Sequence, residues 1–292
     1  MKKVICFGEV LWDRFPSGRK PGGAPMNVAY HLRKLGADPL LISAVGTDTD
    51  GDDLLRSLEA AGLETDHVGR HPQLPTGTVD VHLDPEGGAT YSISRPVAWD
   101  AIAYRPEWDG IRADAIVFGT LASREAASRN TLLRLLRTAK LRVLDLNLRP
   151  PHLERSTLDL LLNQADLLKI NAEELRFLAD TFGLGGREAE VLPRISTMFR
   201  IGTICVTQGA NGAMVWTGSG MESHPGYKAR VTDTVGAGDA FLAAFLAGLL
   251  EGLPWQRTLA RANAAGAIVA GKEGAVPEYA EKDIRQLISG NF

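Results

Sequence analysis

Cysteine is almost missing from this chain: there are two in 292 residues, Cys6 and Cys205, each inside an apolar run. That excludes a disulfide scaffold and reads as two reduced, buried thiols in a cytoplasmic protein. Histidine is sparse too, six in all, and no HExxH or CxxC spacing occurs, so the sequence offers no zinc site. Long hydrophobic runs are lacking. Ala240–Leu250 is far too short to cross a bilayer, and Met1-Lys2-Lys3 passes straight into Val4–Gly8 and Glu9 without a secretion signal. Charge of one sign is lacking as well. With 32 Lys and Arg against 35 Asp and Glu, the net charge of −3 gives no basis for binding nucleic acid or an anionic membrane.

The common nucleotide motifs are absent or broken. Gly266–Lys272 spells GxxxxGK, but Glu273 stands where a Mg²⁺-binding Ser or Thr is needed, and the run ends an apolar helix. No complete GxGxxG follows the first strand, and no GxSxG turn occurs. There is no low-complexity linker and no internal repeat, so residues 1–292 read as one domain.

What is present is an alternation of short apolar runs with helical patterns. Strands are expected at Val4–Gly8, Ala115–Gly119, Arg142–Asn147, Asp166–Asn171, Thr203–Thr207 and Ala213–Trp216. Helices are expected at Pro25–Leu35, Asp50–Ala61, Ser123–Ala139, Leu153–Gln164, Ala172–Thr181, Ala237–Leu250, Trp255–Ala270 and Glu281–Ile288. This order predicts an α/β protein of three layers, α/β/α, around a mostly parallel central sheet. Two segments break the pattern, about 11–21 and 76–100, the second with alternating residues around a Pro85–Gly88 turn. They predict a small β lid standing off the main sheet.

The most informative stretch is Asp233-Thr-Val-Gly-Ala-Gly-Asp239 before the apolar run from Ala240. Gly236, Ala237 and Gly238 leave main-chain N–H groups open to an anion, and a helix start adds partial positive charge there. Asp239 is repelled by such an anion, so it reads as a base taking a proton from an attacking hydroxyl. The chemistry implied is phosphoryl transfer to an alcohol. Asp is also favoured in a first helical turn for dipole reasons alone, so other sites must support this.

Near the N-terminus, Asp13 precedes Gly22-Gly23-Ala-Pro-Met-Asn27. The glycines admit a ligand to the backbone, and Asp13 with Asn27 could clamp vicinal hydroxyls. Asn171 and Glu174 follow a strand at its carboxyl end, where α/β sheets bind ligands. They could hold hydrated Mg²⁺ beside phosphates, though the same spacing is that of a capping box. Arg149, ending Asp145-Leu-Asn147-Leu-Arg149, could meet a substrate or phosphate oxygen or a surface carboxylate. Thr207-Gln-Gly209-Ala-Asn-Gly212 closes another strand with a turn open enough for a nucleotide.

Gly22-Gly23-Ala-Pro-Met-Asn27-Val-Ala29, with Gly36 and Gly46 beyond it, and Asp233–Asp239 together resemble the paired signatures of the ribokinase-like, PfkB-type carbohydrate kinases. The resemblance covers essentially the whole chain. It implies a ribokinase-like fold and ATP-dependent phosphorylation of a sugar hydroxyl. In that frame Asp239 is the base and Gly236, Ala237 and Gly238 form the anion hole. Asp13, Gly22, Gly23, Asn27 and Arg149 hold the sugar. Asn171 and Glu174 organise Mg²⁺ and phosphate, with Thr207, Gly209 and Asn263 near the nucleotide. Asp233 and the backbone of Val235, with carbonyls around Ala270–Gly274, would form a monovalent-cation loop for K⁺.

Gly8-Glu9-Val10-Leu11-Trp12-Asp13 and Ala98-Trp99-Asp100 resemble bacterial fructokinases, and Ala24 stands where ribokinases carry Lys. Fructose is the expected substrate. A 2-keto-3-deoxygluconate kinase, with Arg95 and Arg149 for its carboxylate, and a nucleoside kinase are the alternatives. A non-catalytic sugar-binding regulator is the alternative from another class. Lid edge strands make a homodimer the expected assembly.

Overall fold

The computed structural model describes residues 1–83 and 89–290, so the Pro85–Gly88 turn lies outside the described residues. β1 (Lys3–Phe7) leads through a hairpin, β2 (Leu11–Phe15) and β3 (Gly18–Gly22), into α1 (Ala24–Lys34). β4 (Asp38–Gly46), α2 (Thr49–Ala60) and β5 (Val68–His71) follow, then β6 (Gly77–Leu83) and β7 (Ala89–Ile93). Strands and helices next alternate as β8 (Ala115–Gly119), α3 (Ala126–Leu135), β9 (Arg142–Asp145), α4 (Arg155–Leu162) and β10 (Leu167–Asn171). The helices α5 (Ala172–Phe182) and α6 (Glu188–Phe199) precede β11 (Thr203–Thr207), β12 (Ala213–Thr217) and β13 (Gly220–His224). The chain ends in α7 (Ala237–Leu250), α8 (Trp255–Ala270) and α9 (Glu281–Ile288).

Nine strands form the central sheet in the order β13-β12-β11-β10-β9-β8-β1-β4-β5. All neighbours from β11 through β5 are parallel, and only β12 and β13 run antiparallel. Alternation along β1 shows how both faces are covered. Val4 and Cys6 join a core with residues of α1, α7 and α8, while Ile5 and Phe7 join one with residues of α3 to α6. The thiols of Cys6 and Cys205 are buried and unpaired, as expected.

A second sheet of four strands, β3-β2-β6-β7, forms from the two segments expected to leave the main sheet, its last strand ending at Ile93 and Ala98–Ala101 making a 3₁₀ turn rather than a strand. It is joined at its centre by parallel pairing of β2 with β6, Leu11 opposite Gly77. Gly77 is needed there, because a Cβ would lie 2.1 Å from the Trp99 indole nitrogen. Among the described residues, no helix is long and apolar enough to cross a membrane.

Several boundaries differ from expectation. The helix expected at Ser123–Ala139 is α3 alone, flanked by 3₁₀ turns at Leu121–Ser123 and Leu136–Thr138. Glu125 is extended, and the Ser123 hydroxyl donates to the Gly119 carbonyl, which ends the first turn before the helix can propagate. Likewise Leu153–Gln164 contracts to α4. β4, β5, β13 and α6 were not expected at all. The GxxxxGK run does end α8, as the sequence implies, with Gly266 against the start of α7.

Candidate active site

The chain reverses direction across β1, which lies between β4 and β8. A parallel sheet opens a crevice at the carboxyl ends of its strands at such a reversal. The ends of β1, β9, β10 and β11 deliver Glu9, Asp145, Asn171 and Thr207 to that edge.

α7 begins beside it. Gly236 is its N-cap with φ of 77°, and a Cβ there would meet the Ala275 carbonyl oxygen at 2.4 Å, so only glycine fits. The Ala237 N–H turns back to the Thr234 carbonyl at 3.2 Å. The N–H groups of Gly236 and Gly238 find no protein acceptor among the described residues. They are free donors at the positive end of a helix, which suits an anion. The Lys169 ammonium lies 3.4 Å from the position a Gly238 Cβ would take, adding a full positive charge beside the cradle.

Asp239, in the first turn of α7, is half-buried. Its Oδ2 accepts a 2.8 Å hydrogen bond from Asn27 Nδ2, joining residues 212 positions apart in the chain. Burial pushes the Asp239 carboxyl up to about 7, and the Asp145 carboxylate pushes the same way. The Lys169 and Arg149 charges and the Asn27 bond oppose this. A carboxyl balanced near neutrality can both take and release a proton, which is what a general base requires. Asn27 is itself 5% exposed, and its Oδ1 has no partner.

Lys169 Nζ sits 3.0 and 3.2 Å from the two Asp145 carboxylate oxygens, with both side chains buried. Burial alone would lower the Lys169 pKa. The carboxylates of Asp145, Glu174 and Asp239 outweigh it and hold the ammonium above its ordinary value. Three carboxylates therefore act on one ammonium, a surplus of negative charge that suits a divalent cation.

Asn171 and Glu174 form the capping box of α5. Asn171 Oδ1 accepts from the Glu173 and Glu174 N–H groups, and Glu174 Oε2 accepts from the Asn171 N–H at 2.8 Å. Glu174 Oε1 takes the Leu148 N–H at 2.8 Å, tying β10 to the loop after β9. Both readings of this pair meet here: the capping contacts fix the carboxylate, and burial together with the nearby Asp145 charge pushes its pKa up. Among the described residues no three His, Cys, Asp or Glu side chains converge closely enough to hold a metal unaided. Hydrated Mg²⁺ contacted through water fits such a set.

On the small sheet, Asp13 of β2 is half-buried and lies over Gly22, where a Cβ would come within 2.2 Å of Asp13 Oδ2. Burial pushes Asp13 up to about 6, against the Arg149 charge. The exposed Arg149 donates to the Leu148 carbonyl at 2.9 Å, and its charge acts on Glu9, Asp13 and Asp239 alike. Gly23, the N-cap of α1, has φ of 115°, and a Cβ there would lie 2.3 Å from the Glu9 carbonyl oxygen. Gly23→Ala is therefore expected to destabilise the fold by about 1–3 kcal/mol through backbone strain, with sugar affinity falling alongside. Denaturant unfolding and sugar titration check this; unchanged values in both would show that the turn relaxes freely.

The remaining expected residues flank this centre. Thr207 ends β11 and Gly209 follows it, at φ of 57° on an exposed turn. Asn263 is 7% exposed in α8 and spends one amide hydrogen on the Leu259 carbonyl, one turn before Gly266 meets Ala237. Asp233 accepts from the Val235 and Gly274 N–H groups, both at 3.0 Å, drawing together the two loops named for a monovalent cation. Their carboxylate and carbonyl oxygens are the hard donors such an ion takes.

Three groups at this centre had no role from sequence. Lys169 stands out in hindsight as a charge inside the buried run Leu167–Ile170, and Asp145 as the acid ending a neighbouring buried strand. Glu9 is 5% exposed with an unpartnered Oε2, and burial pushes its carboxyl up.

An acid near neutrality beside a cradle of free N–H groups, at the crevice of a doubly covered sheet, defines a phosphotransferase with an alcohol acceptor. Residues 2–282 match the model of the pfkB family of carbohydrate kinases. The chain belongs to this family. It is 28% identical over 302 residues to a fructokinase of Klebsiella pneumoniae, covering 96% of this chain and 97% of that one. It is 30% identical to fructokinase-1 of Oryza sativa, covering 94% and 93%. A fructokinase from Xylella fastidiosa with bound ATP superposes with a TM-score of 0.85 at 26% identity, over 99% of this chain and 98% of that one. A Vibrio cholerae fructokinase bound to fructose, ADP and calcium superposes with a TM-score of 0.83 at 25% identity, over 99% of each.

Proposed function

We propose that the protein is an ATP-dependent fructokinase in which Asp239 accepts the proton of the attacking sugar hydroxyl. The observation that carries this reading is the Asn27–Asp239 hydrogen bond of 2.8 Å, which unites the two signature stretches at the helix start. Asp13, Gly22, Gly23, Asn27 and Arg149 hold the sugar, and closure of the small sheet over it excludes water that would hydrolyse ATP. The free N–H groups of Gly236 and Gly238 receive the transferring phosphoryl group, while the Ala237 N–H, expected to join them, is held by the Thr234 carbonyl, and Lys169 neutralises the phosphoryl charge.

Thr207, Gly209 and Asn263 lie on the nucleotide side. Asn171 and Glu174 steady Mg²⁺ through water, and Asp233 with the Val235 backbone holds K⁺. Mg²⁺ bound there neutralises phosphate oxygens. Assembly is a homodimer through β3 and β7, the edge strands of the lid, in the cytoplasm.

Fructose is favoured over a ketodeoxy acid by the likeness to fructokinases over nearly the whole chain, and Arg95, one of the two cations a ketodeoxy acid would need, pairs with Glu125 at the surface. ATP turnover measured with fructose, ribose, 2-keto-3-deoxygluconate and nucleosides, and with no acceptor, tests the reading. ADP release should depend on fructose. Turnover that is absent or indifferent to sugar would favour a binding protein on a kinase fold.

A further inference from the structure

His31 is fully buried on α1, one turn beyond Asn27. One ring nitrogen, Nε2, lies 2.9 Å from the Ala275 carbonyl oxygen, and the other, Nδ1, lies 2.9 Å from the Tyr279 hydroxyl. A carbonyl can only accept, so Nε2 carries the proton and Nδ1 accepts from Tyr279. Burial lowers the ring's pKa to about 4, which keeps this neutral form.

Ala275 belongs to residues 271–280, a strap without regular structure between α8 and α9. It packs directly on Gly236: a Cβ at Gly236 would lie 2.4 Å from the Ala275 oxygen and 2.5 Å from its Cα. The next residue back, Gly274, donates to Asp233 at 3.0 Å. The strap is thus the outer wall of the turn that presents free N–H groups to an anion.

The same face of α1 carries Asn27, Tyr30, His31 and Lys34, at helical spacing. Asn27 holds Asp239, Tyr30 donates to the Pro277 carbonyl at 3.2 Å, and Lys34 pairs with Glu278. From the lid, Lys20 reaches Glu273 at 2.6 Å. Glu273 and Glu278 have side chains 78% and 83% exposed, and such ion pairs hold loosely. The His31 bonds are buried, so they fix the strap where the exposed pairs cannot.

We propose that His31 is a positioning residue which, by pinning the Ala275 carbonyl, holds the Gly236–Gly238 turn in phosphoryl-receiving geometry and ties it to the helix that carries Asn27. This rests on the kinase reading above, since the turn matters only if it receives a phosphoryl group. α1 then sets the acid and the cradle together: Asn27 fixes Asp239 directly, and His31 fixes the cradle through Ala275.

The test compares His31→Phe with His31→Gln, whose amide can donate to Ala275 and accept from Tyr279. His31→Phe should lower kcat at least about tenfold per folded molecule while the fructose KM stays within about twofold, the pattern of a lost transition-state interaction. Hydrogen exchange of the Thr232–Phe241 main chain should quicken in the same variant, reporting a loosened turn without reference to turnover. His31→Gln should recover both. If His31→Phe does not fold, Tyr279→Phe, which removes one of the two bonds, should show the same changes at smaller size. Unchanged kcat, a rise in KM alone, unchanged exchange at Thr232–Phe241, or a glutamine variant as impaired as phenylalanine would overturn the proposal. Wild-type protein that turns over no sugar would instead fail the kinase reading, and the exchange measurement would still decide whether His31 fixes the turn.

Discussion

Asp239→Asn is expected to lower kcat at least about 10²-fold while leaving fructose affinity within about twofold, because base assistance is lost and sugar contacts are not. Asparagine is close in shape to aspartate, and its carbonyl can still accept the 2.8 Å bond from Asn27. The wild-type rate should climb through about pH 7 as the Asp239 carboxyl loses its proton, and this limb should vanish in the variant. Stability should move the other way. Burial pushes the folded carboxyl up to about 7 and the unfolded one keeps its ordinary value of 3.8, so the folded state binds more protons between them. Stability from this group is therefore present at low pH and lost as pH rises through the folded value. Asp239→Asn should accordingly raise the melting temperature above pH 7, with the gain shrinking toward pH 4. A variant that keeps full kcat removes Asp239 from its role; one that melts lower at pH 8 removes the strain assigned to it.

That strain also explains what was legible in the sequence. A carboxylate among small residues before an apolar helix is an anomaly readable without coordinates, as is Gly22-Gly23 before Asn27. Their meeting is not, since it depends on how α1 and α7 share one face of the sheet. Lys169 was hidden for a different reason. Between Leu168 and Ile170 it looks like an error in a buried strand, and only its contact with Asp145 on the next strand makes sense of it.

The fold was most legible where apolar pattern and turn residues agree: β8, β11, α7, α8 and α9 begin and end where they predict, even though α9 buries only Ile284. It was least legible at edges and at prolines. β5 and β13 contain Gly69, Glu222 and Ser223, which form no apolar pattern because little is buried there. β4 begins Asp38-Pro39, and proline argues against a central strand. Pro39 is tolerated because β5 pairs only with Ser43–Gly46, leaving β1 as the sole neighbour at Pro39. α6 carries Pro193 in its interior, which hid a helix that packs Val191, Leu192 and Ile195 into the core.

Lys169→Met is expected to show the second large effect, on both stability and the pH profile. It leaves Asp145, whose side chain is 6% exposed, without its ammonium partner. Breaking one side of a buried pair costs about 3–5 kcal/mol, far more than the pair contributes net of its own desolvation. Adding Asp145→Asn to Lys169→Met should therefore recover much of the lost stability, since the uncompensated charge disappears. The two changes act oppositely on Asp239, whose carboxyl is pushed up by Asp145 and held down by Lys169. The rising limb of the rate profile should move to higher pH in Lys169→Met and to lower pH in Asp145→Asn, with the double variant between them. Folding stability from denaturant unfolding and kcat/KM measured from pH 5 to 9 separate these outcomes. A limb that stays put in all three variants would mean that the proton on Asp239 is set by burial alone, and that the Lys169–Asp145 pair serves the phosphoryl cradle rather than the base.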